Sequence, residues 1–151
     1  MWKILILTSS SILLGTFVFF QYIYTFPKHT HQTEEDCLAK NIWYEARSES
    51  EKGWQVVIDV TLNRVASPRF PKSVCAVVYQ YAQFSWTLEY QIAPVGRHWL
   101  KIKHFANNAL KRPYHDTGEL HYHATWMKKK PHWALKKSVS RIVGQHIVYL
   151  N

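Results

Sequence analysis

Glu45 stands in the run Ile42-Trp43-Tyr44-Glu45-Ala46-Arg47-Ser48-Glu49, a carboxyl group beside large aromatic neighbours. Aromatic bulk strips water from a carboxylate and favours its neutral form. A carboxylic acid kept protonated towards neutral pH is the general acid that glycosidic bond cleavage needs. Glu49 follows four residues later. On a continuous helix it would share Glu45's face, about 6 Å away. Glutamates at that spacing are also common on solvated helix surfaces, so the pattern alone leaves both readings open.

Other residues suit a sugar groove. The amide of Gln83 can hydrogen-bond an acetamido group, and the ring of Phe84 can stack on a sugar face. The competing reading is a turn-stabilising polar residue and a core aromatic. Asn63, at the end of an expected helix, is either a helix-end hydrogen-bonder or a substrate contact. Tyr122 lies between His121 and His123 on an alternating segment, which puts the two histidines on one side and the tyrosine on the other. Tyr122 or His123 is expected at the cleft. His121 and His123 would also suit a zinc pair, with His98, His104, His115 or His132 as third ligand, making a metal-dependent amidase or peptidase. No His-Glu-x-x-His motif accompanies them, and the expectation is no metal and no cofactor.

Such residues need elements to hold them. Thr33 followed by Asp36 is capping-box-like, predicting a helix over 34–48 with Cys37, Leu38, Ile42 and Ala46 as its apolar stripe. Ser50 can cap the next helix. There Trp54, Val57, Ile58, Thr61, Leu62 and Val65 recur at i, i+3, i+4, predicting an amphipathic helix over 51–66 that ends at Ser67-Pro68. A shorter helix is expected over 73–81 and another over 97–111, buried through Trp99, Ile102, Ala106 and Leu110. A turn at His115–Gly118 leads to an alternating segment from Leu120 to Trp126. A helical turn follows Pro131, and a strand runs from His146 to Leu150. Helices followed by strands predict a single α+β domain over 34–151, mostly helical with a small β-hairpin.

Composition bounds what such a domain meets. The 151 residues carry a net charge of +9. Residues 1–90 hold 8 basic and 8 acidic side chains, whereas residues 91–151 hold 11 basic and 2 acidic. An apolar share of 47% excludes a disordered or collagen-like chain. A basic half-surface fits an anionic partner. Lys128-Lys129-Lys130 and Lys136-Lys137 interleave with Trp126 and Trp133. Stacking plus charge suits nucleic acid and polysaccharide equally, so a non-enzymatic basic membrane-anchored module is a further reading. No nucleic-acid recognition motif is visible, and nucleic acid is not the expected partner.

Residues 4–26 contain no charge. As a helix they would rise roughly 34 Å, enough to span a membrane. Their length and the absence of a small-residue cleavage site favour a retained signal anchor over a cleaved signal peptide. The expectation is a single-pass protein with a cytoplasmic N-terminus, a tether over 27–33, and an exported, monomeric catalytic part. Cys37 and Cys75 form an even pair that can close one disulfide outside the cytosol, or remain as two buried thiols.

The run from Cys37 to Glu49 resembles the opening motif of SleB/CwlJ-type cell wall hydrolases. Gly53, Val57, Val60 and Asn63-Arg64-Val65 are similar to that family's second helix. Phe70 to Gln80, Gln83-Phe84-Ser85-Trp86, His121-Tyr122-His123-Ala124, Pro131-His132-Trp133 and Gly144 to Tyr149 follow its later blocks in order. The resemblance covers about residues 37–149. It implies a lysozyme-like α+β domain acting on peptidoglycan glycan strands as a lytic transglycosylase, with Glu45 as the catalytic glutamate. Glu49 is the candidate for a supporting role, ordering Glu45 or a sugar hydroxyl, with a surface salt bridge as the competing reading. Under the resemblance, the MurNAc–GlcNAc bond would break to leave a 1,6-anhydro end, in wall remodelling or in endolysin-type lysis by a phage. The chain departs from the family pattern at Tyr44, commonly histidine, and at Ser48, commonly glycine.

Overall fold

The computed structural model describes residues 32–89 and 91–151. The expected anchor over 4–26 and most of the tether lie outside the described residues. Among the described residues no helix is long and apolar enough to cross a membrane. Gln32–Asn151 forms one compact unit.

Helix α1 spans Glu34–Ala46. It starts where Thr33 Oγ1 accepts the Asp36 amide at 3.1 Å, with Glu34, Glu35 and Asp36 in the first turn, where acidic side chains favour the helix dipole. It stops two residues short of the expected 48, because groups from elsewhere take its last carbonyls. Trp54 Nε1 donates to Ala46 O at 2.9 Å, and His98 Nε2 donates to Arg47 O at 2.8 Å. Helix α2, Glu51–Ala66, begins after an extended Ser50. Its stripe Trp54, Val57 and Ile58 packs with Leu38, Ile42 and Ala46 of α1. Val56 and Val60 form a second buried cluster with Val148 of the sheet. The helix is therefore central, apolar on two sides, where its spacing predicted a single apolar face.

Helix α3, Val74–Val78, is capped by Ser73, whose hydroxyl accepts the Ala76 amide. It is shorter than the expected 73–81, because Gln80–Gln83 turns back on itself with Ala82 at φ 57°. Cys37 and Cys75 are disulfide-bonded, which joins the start of α1 to α3. A 3-10 turn, Ser85–Leu88, buries Trp86. Helix α4, Arg97–Leu110, adds Ile102 and Ala106 to the core.

Three strands follow in place of the expected hairpin: β1 Glu119–Ala124, β2 Val139–Val143 and β3 His146–Leu150. They form an antiparallel sheet in the order β1-β3-β2. Gly144, at φ 55°, makes the turn between β2 and β3, a left-handed position that glycine takes without strain. Glu119, 3% exposed, receives Arg141 through Nε at 2.9 Å and Nη2 at 2.7 Å, and Ser140 at 2.6 Å. Arg141 Nη2 also reaches Asp59 of α2 at 2.8 Å. Burial pushes the Glu119 carboxyl up, but these donors outweigh it and hold the group below its ordinary value of 4.5. Arg141→Met should therefore cost about 3 kcal/mol at pH 7, since it strands a buried carboxylate. A carboxyl depressed in the folded state stabilises above its unfolded value and loses that as pH falls through the folded one. The cost should consequently shrink below about pH 4 in urea unfolding followed against pH.

Candidate active site

The end of α1, the 82–85 turn, β1 and the β2–β3 turn enclose a cleft of about 810 Å³. Glu45 and Tyr44 enter from α1, Glu49 from the turn after it, and Gln83 and Phe84 from the 82–85 turn. His121, Tyr122 and His123 come from β1, His146 from β3, and Trp126 and Trp133 from the connection after β1.

Glu45 is half-buried at this wall. Tyr122 donates its hydroxyl to Glu45 Oε2 at 3.1 Å. Burial drives the Glu45 carboxyl above its ordinary 4.5; the Tyr122 hydrogen bond and the charge of Arg64 pull it back part of the way. Burial, reinforced by the Glu45 charge, pushes the Tyr122 hydroxyl well above its ordinary 10, so it remains a donor. The desolvation expected from Trp43 comes from elsewhere. Trp43 packs on His98 and Trp99 of α4, and it is Tyr44, Phe84 and Tyr122 that line the cleft with Glu45.

The helix end that carries Glu45 is held by buried polar bonds. Asn41 Nδ2 donates to Thr61 at 3.2 Å, and Trp86 Nε1 donates to Asn41 Oδ1 at 3.3 Å. The Tyr44 ring stacks on Trp86 with centroids 4.6 Å apart, and its hydroxyl donates to Ile92 O at 2.7 Å. A carboxyl held on such a frame keeps its orientation without reorganising during reaction. Removing the Tyr122 donor destabilises the charged form of Glu45, so Tyr122→Phe should move the alkaline limb of the pH–rate profile upward. An unmoved limb would show that this hydrogen bond does not tune the acid.

The structure places the other expected residues unequally. Glu49 does not continue the helical face of Glu45. The helix ends at Ala46 and Glu49 lies in the following turn, its amide bonded to Ala46 O at 2.8 Å, yet both carboxyl groups reach the same cleft. Gln83 is exposed at the rim. Phe84 is 4% exposed with Arg64 over its ring at 5.4 Å, which makes it chiefly a core aromatic. Trp126, 72% exposed, offers a ring at the cleft instead.

His121 and His123 do share a side, both packing on Trp133, while Tyr122 packs on His146. His123 is buried; its Nδ1 donates to Ala124 O at 3.0 Å and its Nε2 bonds the Tyr149 hydroxyl at 2.9 Å. Burial, with Lys137, Arg64 and Arg69 adding to it, lowers His121 to about 4. Among the described residues no group of three or more His, Cys, Asp or Glu is arranged to hold a metal ion.

Asn63 is not a cleft residue. Its amide donates to Thr117 Oγ1 at 2.8 Å and Glu119 O at 2.7 Å, and its carbonyl oxygen accepts from Tyr114. It ties the chain before β1 to α2. Arg64 lines the cleft while donating to Leu120 O at 2.9 Å. His146, expected only as the start of a strand, also lines the cleft. Pairing of β1 with β3 sets it opposite Ala124, and nothing local signals that register.

A family profile described as Cell Wall Hydrolase matches residues 48–149. The chain belongs to the cell wall hydrolase family. The match begins three residues after Glu45, so the role of that carboxyl is argued from the cleft itself. Two solved structures share the fold. The catalytic domain of the germination-specific lytic transglycosylase SleB from Bacillus anthracis has 22% identity and a TM-score of 0.65, covering 83% of this chain and 100% of that one. The catalytic domain of SleB from Bacillus cereus has 23% identity and a TM-score of 0.64, covering 83% and 94%. No curated protein matches the chain.

Proposed function

We propose that this cell wall hydrolase cuts the glycan strands of peptidoglycan at the MurNAc–GlcNAc bond, as a lytic transglycosylase with a lysozyme-like catalytic domain. One observation carries the reading: Glu45 is a carboxyl group biased towards its neutral form, oriented by Tyr122, on the wall of a cleft large enough for sugar rings. The protonated Glu45 gives its proton to the glycosidic oxygen as the bond to the muramoyl anomeric carbon breaks. The resulting carboxylate then takes the proton of the muramoyl 6-hydroxyl, whose oxygen attacks that carbon. Glu45 ends protonated, and the product carries a 1,6-anhydro ring. The SleB relative described as a lytic transglycosylase supports this choice. The Cys37–Cys75 disulfide fits a domain working outside the reducing cytosol. Residues 4–26 are the proposed membrane anchor.

Digestion of purified sacculi by the full chain tests the bond class. Soluble glycan fragments should appear without new free amino groups, and excess chelator should leave the rate unchanged. A rise in free amines that chelator abolishes would instead select the metal-dependent amidase or peptidase.

The basic half supports a tethering role. Lys128, Lys129, Lys130 and Lys136 are exposed on the stretch that carries Trp126 and Trp133, and peptidoglycan stem peptides bear carboxylates. Attraction of this kind is screened over about 10 Å at 0.1 M salt. Lysis should therefore fall as salt is raised across that range. Salt-insensitive lysis would make these lysines mere solvated surface.

A further inference from the structure

Glu49 is the second carboxyl group of the cleft, and the backbone is shaped around it. A Cβ added at Gly53 would fall 2.5 Å from Glu49 Cβ, and one at Gly144 would fall 2.1 Å from Glu49 Oε2. At Gly53 the atom met is the Glu49 Cβ, which cannot swing aside; at Gly144, itself at φ 55°, an added Cβ would push the carboxylate out of its place. Gly53 sits in the first turn of α2, where glycine weakens a helix; Gly144 forms the β2–β3 turn. Two elements far apart in sequence thus close on one carboxylate. The Gln145 amide donates to its Oε2 at 3.4 Å.

Among the described residues Glu49 makes no ion pair, which removes the surface salt bridge as its purpose. His146 from β3 lies close enough to feel its charge, and Glu45, Arg64 and Tyr122 line the same cleft. His146 is 4% exposed and its Nδ1 has no hydrogen-bond partner among the described residues. Burial lowers its pKa, against the pull of Glu49. A carboxylate held in a glycosidase cleft without an ion-pair partner has a use: the sugar ring becomes positively charged as the bond breaks, and a charge already in place stabilises it without reorganisation.

We propose that Glu49 is a second catalytic carboxylate, a fixed anion stabilising the oxocarbenium-like transition state, with Gly53 and Gly144 as the positioning residues that hold it. The inference rests on the glycosidase reading above. Glu49 forms no bond to the sugar and takes no proton; proton transfer remains with Glu45.

The test measures kcat and KM of the full chain on soluble peptidoglycan fragments for Glu49→Gln, Gly53→Ala and the double variant. Glu49→Gln should lower kcat about 100-fold, with KM changed less than about 3-fold and the alkaline limb set by Glu45 unmoved. Gly53→Ala should lower kcat about 10-fold alone and hardly at all beside Glu49→Gln, because coupled residues are not additive. An effect of Glu49→Gln confined to KM would make it a binding group and overturn the proposal. So would an equal cost of Gly53→Ala in both backgrounds, or full activity of Glu49→Gln. Glu45→Gln in the same assay separates the two claims: its inactivity beside a fully active Glu49→Gln sinks this proposal alone, whereas full activity of both sinks the glycosidase reading.

Discussion

Glu45→Gln should lower lytic activity by at least about 10³-fold and, at neutral pH, raise the melting temperature. Glutamine matches the shape of glutamate and can still accept the Tyr122 hydroxyl, so the cleft keeps its form. What it lacks is the proton. General acid–base catalysis by a positioned side chain contributes about 10²–10⁴-fold, and in the proposed mechanism one group serves first as acid and then as base, so both steps would suffer. The stability gain follows from the direction of the Glu45 shift, raised chiefly by burial. The folded state holds this proton at pH values where the unfolded chain has released it. Stability contributed by the protonated group is complete below its unfolded value, near 4.5, and is lost as pH rises through the folded one. Glutamine carries no such penalty. The variant and the parent should melt alike near pH 4, with the variant higher at pH 7. A variant that is inactive and also less stable at pH 7 would indicate damage to the fold rather than loss of the acid.

Removing the disulfide is expected to have the largest effect on stability. Cys37 and Cys75 are separated by 38 positions, and closing a loop of that size removes unfolded-state entropy worth roughly 4 kcal/mol. Cys37 is fully buried among Leu38, Ile42 and Val78, so Cys37→Ala/Cys75→Ala also forfeits packing. For a domain of this size, the melting temperature should drop by about 10–20 °C. Because the bond anchors the start of the helix that bears Glu45, activity at elevated temperature should fall with it. A melting temperature unchanged by the substitutions, or by reductant on the parent chain, would contradict this.

How far the chain could be read in advance depended on where each residue's partners lie. Helix α2 was legible over Glu51–Ala66 because its apolar spacing is local. Its second buried side was not, since Val56 and Val60 meet Val148 only through the sheet. The end of α1 was set by Trp54 and His98 reaching back to its last carbonyls, and this is what moved Glu49 off the expected face. Strand β2 is an edge strand largely open to solvent, so it has no apolar alternation to betray it. The cleft followed the same rule. Glu45 and Tyr122 could be named from motif and alternation, whereas His146 is placed by strand register and Asn63 is claimed by the chain ahead of β1. Trp43, beside Glu45's neighbour in sequence, turned out to face a different helix.

A glycosidic cut made with a single proton-shuttling carboxyl is recognised by the ends it leaves. Sacculi digested by the full chain would be analysed by mass spectrometry of the soluble muropeptides. Muramoyl residues should end in 1,6-anhydro rings, absent from the Glu45→Gln digest. Reducing muramoyl ends without anhydro products would contradict that mechanism.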